Sequence, residues 1–317
     1  MTASATAGTP PLLVYIGGSG RSGSTLLDLL LGNHSRIQSL GEFDFFDRYA
    51  HGIAQHFCTC GVPVPQCPFW LNVQDTMRET GQSDAPTLAT SHATFAPLSY
   101  RSPRKFVEAF ALISGSRTLY SLASAFVRDH LLAARESMRW YDAVRHATGK
   151  PIIVDSSKGA ARFKTLYLLD PLNTRMIFLL RDGRAVANSL MKLSHTKGKP
   201  LTIEQAARTW KRHVSNALWV RLSVPTRSML TVRYEELCTS AEPVLRAICD
   251  FIGVGFEPAM LELNKNVAHI VGGNPMRMRR DESAIALDER WRQELTTENL
   301  NVFDRIAGKL NRKLGYF

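Results

Sequence analysis

The segment that most constrains the fold is the apolar run LLVYIG at 12–17, which stops at GGSGRSGS and resumes as TLLDLLLGNH. A short run of β-formers that ends on glycine reads as a buried strand. Leucines at 26, 27, 29, 30 and 31 are too dense for a surface helix and predict a core one. Strand, glycine-rich turn and helix together make a cradle for an anion, because backbone N–H groups converge where the helix N-terminus is electropositive.

The remaining pattern extends this unit. Strands are expected at 151–155 (PIIVD), 175–180 (RMIFLL) and 228–232, and helices at 185–193, 203–222, 241–252 and 298–314. Strands alternating with helices predict an α/β fold: a P-loop-like central parallel sheet flanked by helices. Residues 45–150 break the rhythm. A serine cap before a first-turn proline, Ser102–Pro103, starts a mostly helical stretch to about 148, and the polar 81–102 reads as loop. We therefore expect one domain over 1–317, with 45–150 as a largely helical insertion.

The formal net charge of +11 asks for an anionic partner. Its basic residues are scattered, with no aromatic alternation of the kind that stacks single strands, which favours a small polyanion over nucleic acid. No apolar run reaches the 18 or so residues of a membrane span, so no transmembrane segment is expected. MTASATAGTPP has no basic residue and reads as a disordered lead. With five cysteines, an odd number, it points to a reducing, cytoplasmic setting.

Gly18, four residues, then Gly23-Ser24-Thr25 nearly matches the Walker A pattern, but Ser24 stands where that pattern has lysine, and the basic residue is Arg21. The N–H groups of Ser22–Thr25 can still hold an anion, with Arg21 adding a fork of donors. The run GSGRSGSTLL resembles the phosphosulfate loop of sulfotransferases that use 3′-phosphoadenosine-5′-phosphosulfate (PAPS), above all the tyrosylprotein and carbohydrate branches and bacterial relatives. That resemblance implies further roles. Arg181 and Ser189, in LLRDGRAVANSLM, would grip the 3′-phosphate, and Tyr234, in TVRYEEL, would lie near the adenine. HIVGGNPMRMRRDES resembles the loop that closes over the nucleotide, which puts Asn274, Arg277 and Arg290 near phosphate or ribose and leaves Arg279 and Arg280 to solvent. The likeness covers roughly 12–44 and 151–317. Read without it, Arg181 is a surface arginine, Ser189 a helical serine bonded to its own backbone, and Tyr234 a core tyrosine.

Sulfuryl transfer needs a base for the acceptor hydroxyl and a cation at the departing oxygen. The resemblance implies Glu42, in LGEFDFF, as base and Lys158, in VDSSKG, with Arg21 as the cations. Asp44 and Asp47 are rival carboxylates, and burial against neighbours such as Phe43 and Phe45 would give a base the raised pKa it needs. The co-substrate would be PAPS, the product 3′-phosphoadenosine 5′-phosphate, and no metal is required. The insertion would cap the acceptor, a phenol, sugar, lipid alcohol or peptide tyrosine. Cys58, Cys60 and Cys67 read as reduced structural thiols or one disulfide. A zinc site lacks an evident fourth ligand, with His51 and His56 as options. His34 and His195 read as structural or solvent-facing. The rival readings are an ATP-dependent P-loop kinase or NTPase and a non-catalytic nucleotide-binding protein.

Overall fold

A computed structural model describes residues 12–46, 57–79, 124–263, 269–278 and 284–317. The N-terminal lead, the 81–102 loop and the Ser102–Pro103 helix start lie outside these residues. Strand β1 (Leu12–Gly18) runs through the glycine turn into α1 (Ser24–Gly32), all nine residues of which are buried. After β2 (Ile37–Ser39) come two helices of the insertion, α2 (Pro68–Glu79) and α3 (Ser124–Thr148). Then β3 (Ile152–Lys158), α4 (Ala160–Leu169), β4 (Thr174–Leu180), α5 (Gly183–Thr196), α6 (Ile203–Arg221) and β5 (Met229–Arg233) follow in turn. The chain continues through α7 (Tyr234–Thr239) and α8 (Ala241–Ile252). Its last helical run is α9 (Thr297–Phe303), a π-helical turn at Asp304–Gly308 and α10 (Lys309–Lys313). Among the described residues no helix is long and apolar enough to cross a membrane.

The five strands form one parallel sheet in the order β2-β3-β1-β4-β5. Four strands were expected. β2 is too short for any periodicity, and exists because Ile37–Ser39 pair in register with Ile152–Val154. Alternate residues serve opposite faces, as the strand period requires. Leu13, Tyr15, Ile153 and Phe178 join the core under α3 to α6, whereas Val14, Ile16, Val154 and Leu179 join the core under α1 and α8. Both faces are covered, which explains why the strands read as continuous apolar runs.

Two local departures bear on function. β3 runs three residues past Asp155, because a bulge shifts its register against β1 from Tyr15↔Asp155 to Gly17↔Lys158. The insertion is anchored by rings: Phe43 stacks on Phe46 at 4.9 Å, and Phe46 meets Trp70 of α2 at 4.4 Å and Trp140 of α3 at 4.8 Å.

A buried carboxyl ties the first helix to the sheet. Asp28 of α1 is 1 % exposed and accepts hydrogen bonds from Ser39 at the end of β2 and Ser156 in β3. Burial raises its pKa from 3.8 to about 7, against the opposing pull of the two hydroxyls and Lys158. Between those values the folded chain keeps a proton that the unfolded chain has released, so this group's contribution to stability is complete below 3.8 and is lost as pH rises through 7. Asp28→Asn removes the ionisation and leaves a neutral polar group between the serines. Its melting temperature relative to the parent should therefore climb between about pH 4 and pH 7 and level off above. Thermal unfolding across that range checks this, and a difference that does not vary with pH would assign the proton elsewhere.

Candidate active site

In a parallel sheet every strand points the same way, so the residues following the strands gather on one edge. The glycine turn follows β1, Glu42 follows β2, Lys158 ends β3, Arg181 follows β4 and Tyr234 follows β5. These five groups border one cleft of ≈ 1270 Å³. It lies at the crevice beside β1, where the strand order changes direction between its two neighbours.

The turn is shaped for close approach. Arg21 and Gly23 both have positive φ, 71° and 93°, and Gly23 forms the N-cap of α1. A Cβ on Gly23 would fall 2.3 Å from the Tyr234 ring, so only glycine lets the loop lie on that ring. Ser22, Ser24 and Thr25 are buried, and Thr25 Oγ1 accepts the N–H of Asn274 at 3.0 Å. That bond brings the segment around Asn274 over the start of α1.

Arg21 and Arg181 are knitted together. The Nε of Arg21 donates to Ser189 Oγ at 2.8 Å, and Arg181 donates to the Arg21 carbonyl at 3.0 Å. The Arg181 guanidinium lies 4.2 Å from the Tyr234 ring centre. It also donates to the Asp288 carbonyl at 2.8 Å and pairs with its carboxylate at 3.4 Å. Burial, and then the charge of Arg181, pull the Arg21 pKa below its ordinary value. A partly buried and a buried cation so close together favour an anion between them. Arg181, Ser189 and Arg290 also face a small side pocket with Lys192. Arg290 is exposed and holds Asp288 through two contacts of 2.8 and 3.0 Å, and that bonding keeps the Asp288 carboxyl well below the usual range.

On the other side of the turn, Lys158 donates to Glu42 at 2.5 Å and to the Ser156 carbonyl at 3.1 Å. Lys158 has φ 70°, a conformation a lysine adopts only where its surroundings impose it. Glu42 is packed from behind by Gly272, where a Cβ would approach its side chain to 2.8 Å. The raised carboxyl expected of a base occurs on Asp44, which burial pushes up to about 7 and whose Oδ1 has no hydrogen-bond partner. Asp47 lies outside the described residues.

Arg277 does not reach the cleft. Its guanidinium turns instead to the Phe57 and Ile270 carbonyls, at 2.9 and 3.5 Å. Arg279 and Arg280 lie outside the described residues. Several cleft residues escaped the sequence reading. His213 of α6 faces Ser19 at 3.4 Å, and burial lowers its pKa to about 4, so the ring is neutral at physiological pH. Asp155 is fully buried, pairs with Arg162 at 3.2 Å and accepts the Ser157 N–H at 2.8 Å. Ser157 Oγ in turn receives the Asp44 N–H at 3.0 Å, so this network sets the loop after Glu42. Asp155 and Ser157 stand beside Lys158 in VDSSKG, so their place at a strand end was the available signal, whereas His213 sits inside a helix with no motif around it.

The family profile described as "Sulfotransferase family" matches residues 79–258, more than half of the chain. No curated protein matches it. Among solved structures, the sulfotransferase domain from the curacin biosynthetic pathway aligns with a TM-score of 0.53 at 18% identity, covering 95% of this chain and 98% of that one. Sulfotransferase STF9 from Mycobacterium avium aligns with a TM-score of 0.51 at 16% identity, covering 98% and 78%. At such identities the likeness is one of fold, and it agrees with the parallel sheet and glycine turn seen here. With the profile spanning more than half of its length, the chain belongs to the sulfotransferase family, whose reaction is transfer of a sulfuryl group.

Proposed function

We propose that the protein moves a sulfuryl group from PAPS to an acceptor hydroxyl, with Glu42 as general base. The observation that carries this reading is the bonding of Arg21 to Ser189 and of Arg181 to the Arg21 carbonyl. It joins the phosphosulfate loop to the residues expected at a 3′-phosphate, on the same strand edge as Lys158 and Glu42. Tyr234 and Asn274 flank the loop, and Arg290 stands at the mouth of the cleft.

In this reading the acceptor oxygen attacks sulfur in line with the departing phosphate oxygen. Its proton passes to a Glu42 carboxylate oxygen. The new S–O bond forms as the bond from sulfur to the bridging oxygen breaks, and the electron pair stays on the 5′-phosphate. Lys158 and Arg21 offset the charge that builds there. Lys158 begins on Glu42, so the approach of the anionic donor draws the ammonium away and frees the carboxylate. Ser24 in place of a Walker lysine removes the usual contact to a triphosphate, which counts against an ATP-dependent reading. The acceptor is a hydroxyl compound, and a panel of phenols, sugars, lipid alcohols and tyrosine peptides assayed with labelled PAPS would identify its class.

Two outcomes follow. 3′-Phosphoadenosine 5′-phosphate should raise the melting temperature more than ATP does, without added Mg²⁺, and Arg181→Ala should weaken its binding about 10- to 100-fold. Stabilisation by ATP that matches it and grows with Mg²⁺ would instead support the kinase reading. Glu42→Gln should keep that binding and lower turnover about 100-fold or more. Turnover that survives Glu42→Gln but falls in Asp44→Asn would move the base to Asp44.

A further inference from the structure

Away from the cleft, three cysteines and one histidine from distant parts of the chain converge. Cys58, Cys60 and Cys67 lie at the start of the insertion, and the fourth member is His269, next to the segment that reaches Asn274. Each offers one ligand atom, and the four atoms lie within 4.8 Å of one another. His269 Nδ1 is 3.5 Å from Cys58 Sγ and 3.4 Å from Cys67 Sγ, and Cys60 Sγ is 3.5 Å from Cys67 Sγ. Bond lengths of zinc to sulfur and nitrogen in a tetrahedral site put neighbouring ligand atoms about 3.8 Å apart for two sulfurs and about 3.6 Å for sulfur and nitrogen. The cluster already has nearly that spacing. All five cysteines are free, and 3.5 Å between sulfurs is far beyond the about 2.05 Å of a disulfide.

The surroundings are built for the same purpose. The loop turns through Gly61, φ 93°, with the Cys58 N–H bonded to the Val62 carbonyl at 2.9 Å and the Gly61 N–H to the Cys58 carbonyl at 2.9 Å. The His269 ring lies flat on Phe69, 4.5 Å between centres and 5° between planes, and its backbone has φ 49°. Across the cluster the Ile270 N–H donates to Thr59 Oγ1 at 3.0 Å, while Arg277 binds the Phe57 and Ile270 carbonyls.

We propose that Cys58, Cys60, Cys67 and His269 form a closed, structural zinc site. Three thiol protons leave as one Zn²⁺ enters, giving three thiolates and a neutral imidazole with no open position for substrate. The site clamps the base of the insertion to the chain that supports the cleft. Two residues beyond His269, Val271 donates its N–H to the Leu40 carbonyl and accepts the Glu42 N–H, at 2.9 and 2.8 Å. Gly272 backs Glu42, and Asn274 reaches Thr25. The metal thus positions Glu42 through the backbone without touching the reacting atoms. This assignment is independent of the donor and base proposed above.

The test uses the full chain without a histidine tag. After reduction, incubation with zinc chloride and desalting, elemental analysis should find about one zinc per chain, and Cys67→Ser and His269→Gln should each lose most of it. Cobalt(II) added to the reduced, zinc-free parent protein should give the intense visible bands of a tetrahedral thiolate complex, a readout that does not depend on the variants folding. A folded parent that retains no zinc, or cobalt that shows only the weak spectrum of an octahedral oxygen site, would overturn the proposal. So would equal zinc retention in the parent and both variants.

Discussion

Parallel strand direction is the constraint from which the rest of the molecule follows. All five strands end on the same edge, so each can contribute a residue to one cleft, whatever the distance along the chain. Arg21 and Ser189 meet although 168 positions separate them, and Lys158 and Glu42 although 116 do. Parallel strands need long crossovers, and here the crossover between β2 and β3 contains the insertion. The catalytic edge and the insertion therefore come from one topological fact. Rings from α2 and α3 pack on Phe43 and Phe46, just after Glu42, so the insertion bears on the Glu42 loop as well as covering the core.

Strand ends alone do not fix a side chain to the accuracy that group transfer needs. Buried polar groups supply the remainder. Asp28 binds the end of β2 and the bulged part of β3 at once, so the elements carrying Glu42 and Lys158 share one anchor. Asp155 with Arg162, through Ser157, sets the backbone at Asp44. Burying such carboxyls is costly unless they are paired or protonated. The chain uses both solutions, pairing Asp155 with Arg162 and raising the pKa of Asp28 toward neutrality.

How much of this the sequence carried depended on whether the signal was local. The glycine turn, the helix starting at Ser24 and Arg181 directly after an apolar run are local, and they stand where the pattern put them. β2 has three residues and no period, so only its pairing with β3 creates it. The bulge that carries β3 to Lys158 depends on register between strands, which periodicity along one strand does not contain. The histidines near the cysteines in sequence, His51 and His56, lie outside the described residues, whereas His269 approaches Cys58 from 211 positions away. Arg277 shows the opposite error. The resemblance of its segment to the family's closing loop implied a phosphate or ribose contact, whereas two carbonyls beside the cysteine cluster hold it. Arginine also serves as a backbone strap, and charge pattern alone does not separate the two uses.

The charge arrangement bears on which anions the proposed cleft would favour. Burial, and then the nearby charge of Arg181, lower the Arg21 pKa, and an anion between the two would offset that repulsion. Arg181 is not idle, however, because Asp288 and the Arg21 carbonyl already engage it. A ligand must therefore return more than it displaces, and a single weak anion gains little. A nucleotide with phosphate groups at both ends can meet the glycine turn and the Arg181–Ser189 side together, adding a second attachment without a second loss of translational freedom. A ligand charged at one end only gains one of the two. The ion pair of Lys158 with Glu42 extends the same logic to chemistry. In the proposed reaction the lysine neutralises the Glu42 carboxylate until the donor's stronger negative charge draws it away.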